Sequence, residues 1–277
     1  MQIQPQKNEY AIGIIDSGVG GLTVAKEVMR QLPLETIYYF GDSLRCPYGP
    51  RSETEVFQFT KELVAFLMQF PLKALLIACN TATAVSLVYL KKKLSIPVLG
   101  VIDPGARAAI KASKNKKIGV IGTVGTIKSG AYEKSLKRIQ PTMEVHSLAC
   151  PNLVPLVESG NWNGVDSYDV VAESLAPLPK EEMDTLILGC THYPLLTQPI
   201  TQVMGENIAV ISSAEETASE LSTILYHQNL LAQKQTNQHR FFTTGSSDNF
   251  ARIASDWLGK SVYAESVSLS TMKDCLA

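Results

Sequence analysis

Leu75-Leu76-Ile77-Ala78-Cys79-Asn80-Thr81 is an apolar run that stops at a thiol and two small polar residues. Leu186-Ile187-Leu188-Gly189-Cys190-Thr191-His192 repeats that design in the second half of the chain. Short continuous apolar runs of this kind belong to strands buried on both faces, as in parallel sheets. A thiol just beyond such a strand stands at its carboxyl end, where α/β proteins open their ligand clefts. Neither cysteine belongs to a CxxC pair. A single buried cysteine is ordinarily a small apolar packing residue. Two at equivalent strand ends, each followed by hydrogen-bonding residues, point instead to a pair of acid/base groups facing one substrate.

Working outward, strands and helices alternate. Strands are expected over 11–15, 36–40, 74–78 and 98–102, with helices over 22–31, 52–70 and 82–93. Ser52 and Glu55 have the spacing of a capping box, and Lys91-Lys92-Lys93 suits a helix carboxyl terminus. The pattern then restarts, with strands over 117–121, 143–147, 185–188 and 208–211. Helices over 130–138 and 167–175 and a short one around 200–203 lie among them. A helix over about 214–228, a strand over 240–243 and a helix over 247–258 follow. Ile12-Gly13-Ile14-Ile15-Asp16 is similar to Ile118-Gly119-Val120-Ile121-Gly122, and Val98-Leu99-Gly100-Val101-Ile102-Asp103 to Ile208-Ala209-Val210-Ile211-Ser212. Cys79 follows Gly13 by 66 positions, and Cys190 follows Gly119 by 71. Buried strands converge on apolar strings anyway, but matched cysteines at matched offsets favour an internal duplication. The expected fold is α/β: two similar parallel-sheet domains related by pseudo-twofold symmetry, with the active site between them. Residues 1–102 and 212–277 form the first, discontinuous domain, and 103–211 the second.

The bulk numbers agree with such a fold. The chain has 277 residues, 45% hydrophobic and 18% charged, with a formal net charge of −1. There is room for two cores. No global basic field favours nucleic acid. No apolar run approaches the roughly 20 residues of a membrane helix, and the sequence does not open on a basic stretch followed by an apolar segment and cleavage site. The five cysteines, Cys46, Cys79, Cys150, Cys190 and Cys275, match no zinc or disulfide spacing. Free thiols in a reducing cytoplasm are expected.

Several residues could carry chemistry. Asp16-Ser17-Gly18-Val19-Gly20-Gly21 joins the first strand to a helix, whose N-terminal N–H groups suit an anion. It is not GxGxxG, so a dinucleotide site is not expected. Asp16 fits either an N-cap or a site carboxylate. The loop from Gly41 to Ser52 offers Tyr48 and Gly49 as a cleft wall, although Pro47, Gly49 and Pro50 alone would make it an ordered turn. Cys46 in that loop fits a thiol without a role. A thiol titrates close enough to working pH to shuttle protons. His192 could assist Cys190 or serve as a structural hydrogen-bonder. Glu158 could orient His192, but sequence does not place it in the cleft. Cys150 and Cys275 lack the strand-end context and read as structural.

Asp16-Ser17-Gly18, Pro47-Tyr48-Gly49, Cys79-Asn80-Thr81 and Gly189-Cys190-Thr191-His192 together resemble the glutamate racemases of the cofactor-independent aspartate/glutamate racemase superfamily. Val157-Glu158-Ser159-Gly160, the segment from Ile211 to Ala218, and Phe242-Thr243-Thr244-Gly245 are similar to that family too. The likeness runs from about Ala11 to Leu258, departing where Ser43-Leu44-Arg45 replaces a frequent Thr-Ala-Arg. It implies interconversion of L- and D-glutamate for peptidoglycan, with no cofactor and no metal. It implies that Cys79 takes the proton of D-glutamate, assisted by Asp16, and that Cys190 takes that of L-glutamate, assisted by His192 and Glu158. Ser17, Tyr48, Gly49, Asn80, Thr81 and Thr191 would bind substrate. A homodimer is compatible with the family. Members controlled by a cell-wall precursor tend to carry a longer N-terminal extension, so such control is not expected. Aspartate is the alternative substrate. A binding protein for an acidic ligand, such as a DNA gyrase inhibitor, is the alternative class, but it needs no matched thiols and gains nothing from the near-neutral charge.

Overall fold

The structure, a computed structural model, describes residues 6–160, 162, 164, 166–235 and 237–275. The chain begins with β1 (Ala11–Asp16), α1 (Leu22–Gln31), β2 (Ile37–Gly41), α2 (Glu53–Leu67), β3 (Leu72–Ile77), α3 (Asn80–Lys93) and β4 (Val98–Gly100). Next come α4 (Ile102–Ala112), β5 (Lys117–Gly122), α5 (Val124–Lys128), α6 (Ala131–Ile139), β6 (Glu144–Ala149), α7 (Leu153–Glu158), α8 (Asp166–Leu175), β7 (Thr185–Gly189), α9 (Thr197–Met204) and β8 (Ala209–Ser212). It closes with α10 (Ala214–His227), β9 (Arg240–Thr243), α11 (Ser247–Leu258), β10 (Ala264–Ser266) and α12 (Leu269–Asp274).

Two parallel sheets result. One runs β10-β9-β2-β1-β3-β4 and the other β6-β5-β7-β8. The order β2-β1-β3-β4 in the first is repeated as β6-β5-β7-β8 in the second. Register repeats as well: Ile15 pairs with Ile77, and the corresponding Ile121 pairs with Leu188. This is the duplicated α/β frame that the two cysteine runs announce. β9 and β10 extend only the first sheet, so the returning C-terminal segment is what makes the halves unequal.

The central strands of each sheet are covered on both faces, which explains the apolar runs, while the edge strands β6, β8 and β10 are partly exposed. Ile12 and Ile14 of β1 enter one core with Ala74 and Leu76 of β3, while Ile15, Leu75 and Ile77 enter the opposite one. In the second sheet Leu186 and Leu188 face one core and Ile118, Val120 and Ile187 the other. Each such fully buried aliphatic side chain contributes about 1.5–3 kcal/mol relative to exposure. Gly13 leaves room for the leucines packed over β1, since a Cβ there would lie 2.9 Å from Leu72 Cδ1 and 3.3 Å from Leu75 Cδ1.

Helix ends follow local chemistry. Ser52 and Glu55 form the expected capping box at α2. The expectation of a strand over 98–102 is corrected: β4 stops at Gly100 and Ile102 already belongs to α4. Pro104 stands in the first turn of that helix, where a missing N–H costs nothing because those donors have no partner within the helix. The short α5, α7 and α12 and the edge strand β10 were absent from the sequence expectations, since segments of three to six residues carry little periodicity. Among the described residues no helix is long and apolar enough to cross a membrane.

Candidate active site

Both sheets reverse their strand order beside their first strand, β1 in one and β5 in the other. The carboxyl ends there are where α/β proteins place ligands. In the first sheet these ends carry Asp16 and Cys79. Asp16 is fully buried, accepting from Gly18 N–H at 3.0 Å and Thr191 Oγ1–H at 3.3 Å. Burial holds its carboxyl above the ordinary range, opposed by positive charge on His192 and by these hydrogen bonds. Cys79 is the N-cap of α3, and Ala82 N–H donates to its Sγ at 3.5 Å. Burial, then the charge of Asp16, pushes this thiol up to about 12. At neutral pH it rests protonated.

The second sheet's strand ends offer a different chemistry. Cys190 follows β7, and its Sγ lies 3.8 Å from His192 Nδ1. His192 Nε2 lies 2.6 Å from Oε1 of Glu158, at the end of α7. Burial alone would depress the imidazole, but the hydrogen bonds with Cys190 and Glu158 outweigh it and raise it to about 10. Burial likewise works against ionised Glu158, and the His192 contact reverses the effect, holding the carboxyl below its usual range. His192 therefore carries a proton on both nitrogens at neutral pH, one aimed at sulfur and one at carboxylate. Gly20 permits this approach, since a Cβ there would fall 2.5 Å from both His192 Nδ1 and Thr191 Oγ1.

Both thiols line one small cavity, shared with Ser17, Tyr48, Gly49, Asn80, Thr81, Thr191 and His192. Its walls are stitched across the two sheets. Tyr132 O–H donates to Asn80 Oδ1 at 2.7 Å, and Gly125 N–H donates to the Gly49 carbonyl at 2.8 Å. Thr81 Oγ1 lies 2.9 Å from Thr123 Oγ1 and 3.1 Å from Thr126 Oγ1. Asn80 Nδ2 is buried without a protein partner among the described residues, a donor left for whatever occupies the cavity. The Tyr48 hydroxyl is committed elsewhere: it donates to Asp42 Oδ2 at 2.5 Å. Tyr48 thus offers the cavity its ring and backbone rather than a free hydroxyl.

Sequence reasoning missed the support under that loop. Asp42 accepts from Arg45 Nε at 2.7 Å and from Thr244 Oγ1 at 2.7 Å, and Arg45 reaches Glu62 at 2.5 Å. The Asp42–Arg45 contact is local, three residues apart, but those to Glu62 and Thr244 join separate segments with no spacing signal. Thr123 and Tyr132 were also missed. The repeat could have found Thr123, which follows β5 as Ser17 follows β1. Glu158 is brought to the site, while Cys150 packs in the second domain's core and Cys275 sits by α12, away from the cavity.

The family model for the Asp/Glu/hydantoin racemases matches residues 12–221. A glutamate racemase of Bacillus cereus is 56% identical over 257 residues, 92% of this chain and 96% of that protein. The crystal structure of a Bacillus anthracis glutamate racemase isoform superposes with a TM-score of 0.92 at 57% identity, covering 95% of this chain and 98% of that one. A Francisella tularensis glutamate racemase in complex with D-glutamate gives a TM-score of 0.88 at 32% identity, with 95% and 99% covered.

Proposed function

Because the chain belongs to the Asp/Glu/hydantoin racemase family, and within it to the glutamate racemases, we propose that this isomerase inverts glutamate by passing protons between Cys79 and Cys190. One sulfur, as thiolate, removes the α-proton from one face of the substrate. The other, as thiol, returns a proton on the opposite face. Cys79 serves the D-enantiomer and Cys190 the L-enantiomer. Asp16 assists Cys79, and the His192–Glu158 pair assists Cys190. Ser17, Gly49, Asn80, Thr81 and Thr191 hold the substrate's charged groups, with the unpartnered Asn80 amide and the α3 N-terminus suited to a carboxylate. The product would supply D-glutamate for peptidoglycan in the cytoplasm. Residues 1–102 with 212–277 and residues 103–211 act as the two domains that enclose it.

The observation that carries this reading is that both thiols, from matched strand ends of two sheets, border one cavity. The α-proton is weakly acidic, so the carbanionic transition state needs preplaced donors and charge. The His192 cation and the amide and hydroxyl groups of the seam supply them. Optical rotation of L-glutamate, followed with dialysed protein and no added cofactor, should decay to zero. The same should hold from D-glutamate. Retained rotation with well-folded protein, or a much faster loss with aspartate, would contradict the proposal.

A further inference from the structure

Cys46 has no place in that proton relay, yet its Sγ lies 3.8 Å from Glu158 Oε1. The same oxygen meets His192 Nε2 at 2.6 Å. Sulfur, oxygen and nitrogen all lie within 4.8 Å of one another. They come from the loop after β2, the end of α7 and the turn after β7, so no spacing motif announces them. Gly18 keeps the space beside them open: a Cβ there would stand 3.1 Å from Cys46 Sγ and 3.7 Å from Glu158 Oε1. His192 is buried, whereas Cys46 is half-buried and Glu158 exposed, so an ion arriving from solvent meets sulfur and carboxylate first.

We propose that Cys46 Sγ, Glu158 Oε1 and His192 Nε2 form an inhibitory site for a thiophilic divalent cation, Zn²⁺ above all. Thiolate, imidazole and carboxylate are the ligand types Zn²⁺ selects, and three protein ligands leave a fourth position for water. With zinc–ligand bonds of about 2.0–2.3 Å, tetrahedral partners stand roughly 3.3–3.8 Å apart. The sulfur–oxygen separation already fits, and the nitrogen–oxygen pair must open by under about 1 Å to match that geometry. On binding, the metal replaces the thiol proton of Cys46 and the Nε2 proton of His192, and both protons pass to solvent. Glu158 is taken from His192, and the imidazolium beside Cys190 becomes a neutral, metal-bound ring. Inhibition rests on the role proposed for His192; binding itself does not.

The test uses the whole, reduced enzyme with Co²⁺ as a spectroscopic probe and Zn²⁺ as inhibitor. The wild type should bind one Co²⁺ with a thiolate-to-cobalt charge-transfer band. Cys46→Ser and Cys46→Ala should lose the band, weaken Zn²⁺ binding by at least about tenfold, and raise the half-inhibiting Zn²⁺ concentration to the same degree. Their racemisation without metal should stay within about twofold of wild type, as expected for a substitution outside the proton relay. Cys79→Ser, although inactive, should keep the band. A band that survives in both Cys46 variants, or vanishes in Cys79→Ser, would move the metal to the catalytic thiols and overturn the proposal. A band lost with Cys46 but full racemisation under saturating Zn²⁺ would uphold the site and overturn the inhibition, and with it the role of His192.

Discussion

The ends of β3 and β7 are alike in backbone and unlike in chemistry. Cys79 matches Cys190 and Asn80 matches Thr191, but Thr81 then stands where the second half has His192. At the neighbouring strand ends Asp16 of β1 matches Gly122 of β5, and Ser17 matches Thr123. The first half therefore gives its thiol a buried carboxyl. The second half gives its thiol an imidazolium held by Glu158. The repeated frame puts the two sulfurs at equivalent strand ends, and single differences in sequence give each a different neighbour. A reaction that runs both ways between mirror-image substrates does not need mirror-image machinery.

The largest effect should come from removing the feature the halves share. Cys79→Ser and Cys190→Ser should each reduce racemisation by about a thousandfold, because a serine hydroxyl is too weak an acid to stand in as thiolate. Substantial racemisation by either variant would break the two-thiol comparison outright.

Removing what the halves do not share should give smaller, directional effects. His192→Asn should lower kcat from L-glutamate more than from D-glutamate, and Asp16→Asn the reverse, each by about tenfold to a hundredfold. Enantiomers have equal free energy, so kcat/KM must fall equally in both directions and only kcat and KM can diverge. Progress curves from each enantiomer would reveal the split. Equal kcat losses both ways in both variants would remove the assignment of helpers to thiols.

The two halves should also differ in pH response. The folded-state value of His192, about 10, lies above its ordinary 6.5. Its stabilising contribution is complete below that ordinary value and disappears as pH rises through the folded value. From pH 6.5 to 10 the wild type should lose stability relative to His192→Asn, read as converging urea midpoints. A constant difference over that window would contradict a protonated His192.

The seam should give the smallest change. Tyr132→Phe leaves Asn80 Oδ1 without its donor, a loss of about 1–3 kcal/mol. With the role proposed for Asn80 in holding the substrate, KM should rise severalfold while kcat stays within about twofold. A kcat collapse would place Tyr132 in the chemistry.

The cysteine-bearing strands were legible because they are buried on both faces, which writes a continuous apolar run ended by polar residues. Repetition then gave the two-sheet fold. Strand β4 was read two residues too long because Val101 and Ile102 are apolar whether they end a strand or open a helix. Glu158 could be named from the residues but not placed in the cleft: its partner His192 is 34 positions away, and no periodicity couples the end of α7 to the turn after β7. Asp42, Arg45 and Glu62 were invisible for the same reason. Arg45 is shared between nearby Asp42 and the more distant Glu62, and residue by residue the three look like ordinary polar surface residues.

The central claim is that each thiol serves one face, and α-deuterium uptake from heavy water tests it most directly. Uptake would be followed by NMR for each enantiomer separately in Cys79→Ser and Cys190→Ser. Cys190 alone should exchange the α-proton of L-glutamate, and Cys79 alone that of D-glutamate, with neither variant inverting its substrate. Exchange of both enantiomers by a single remaining thiol would contradict the account.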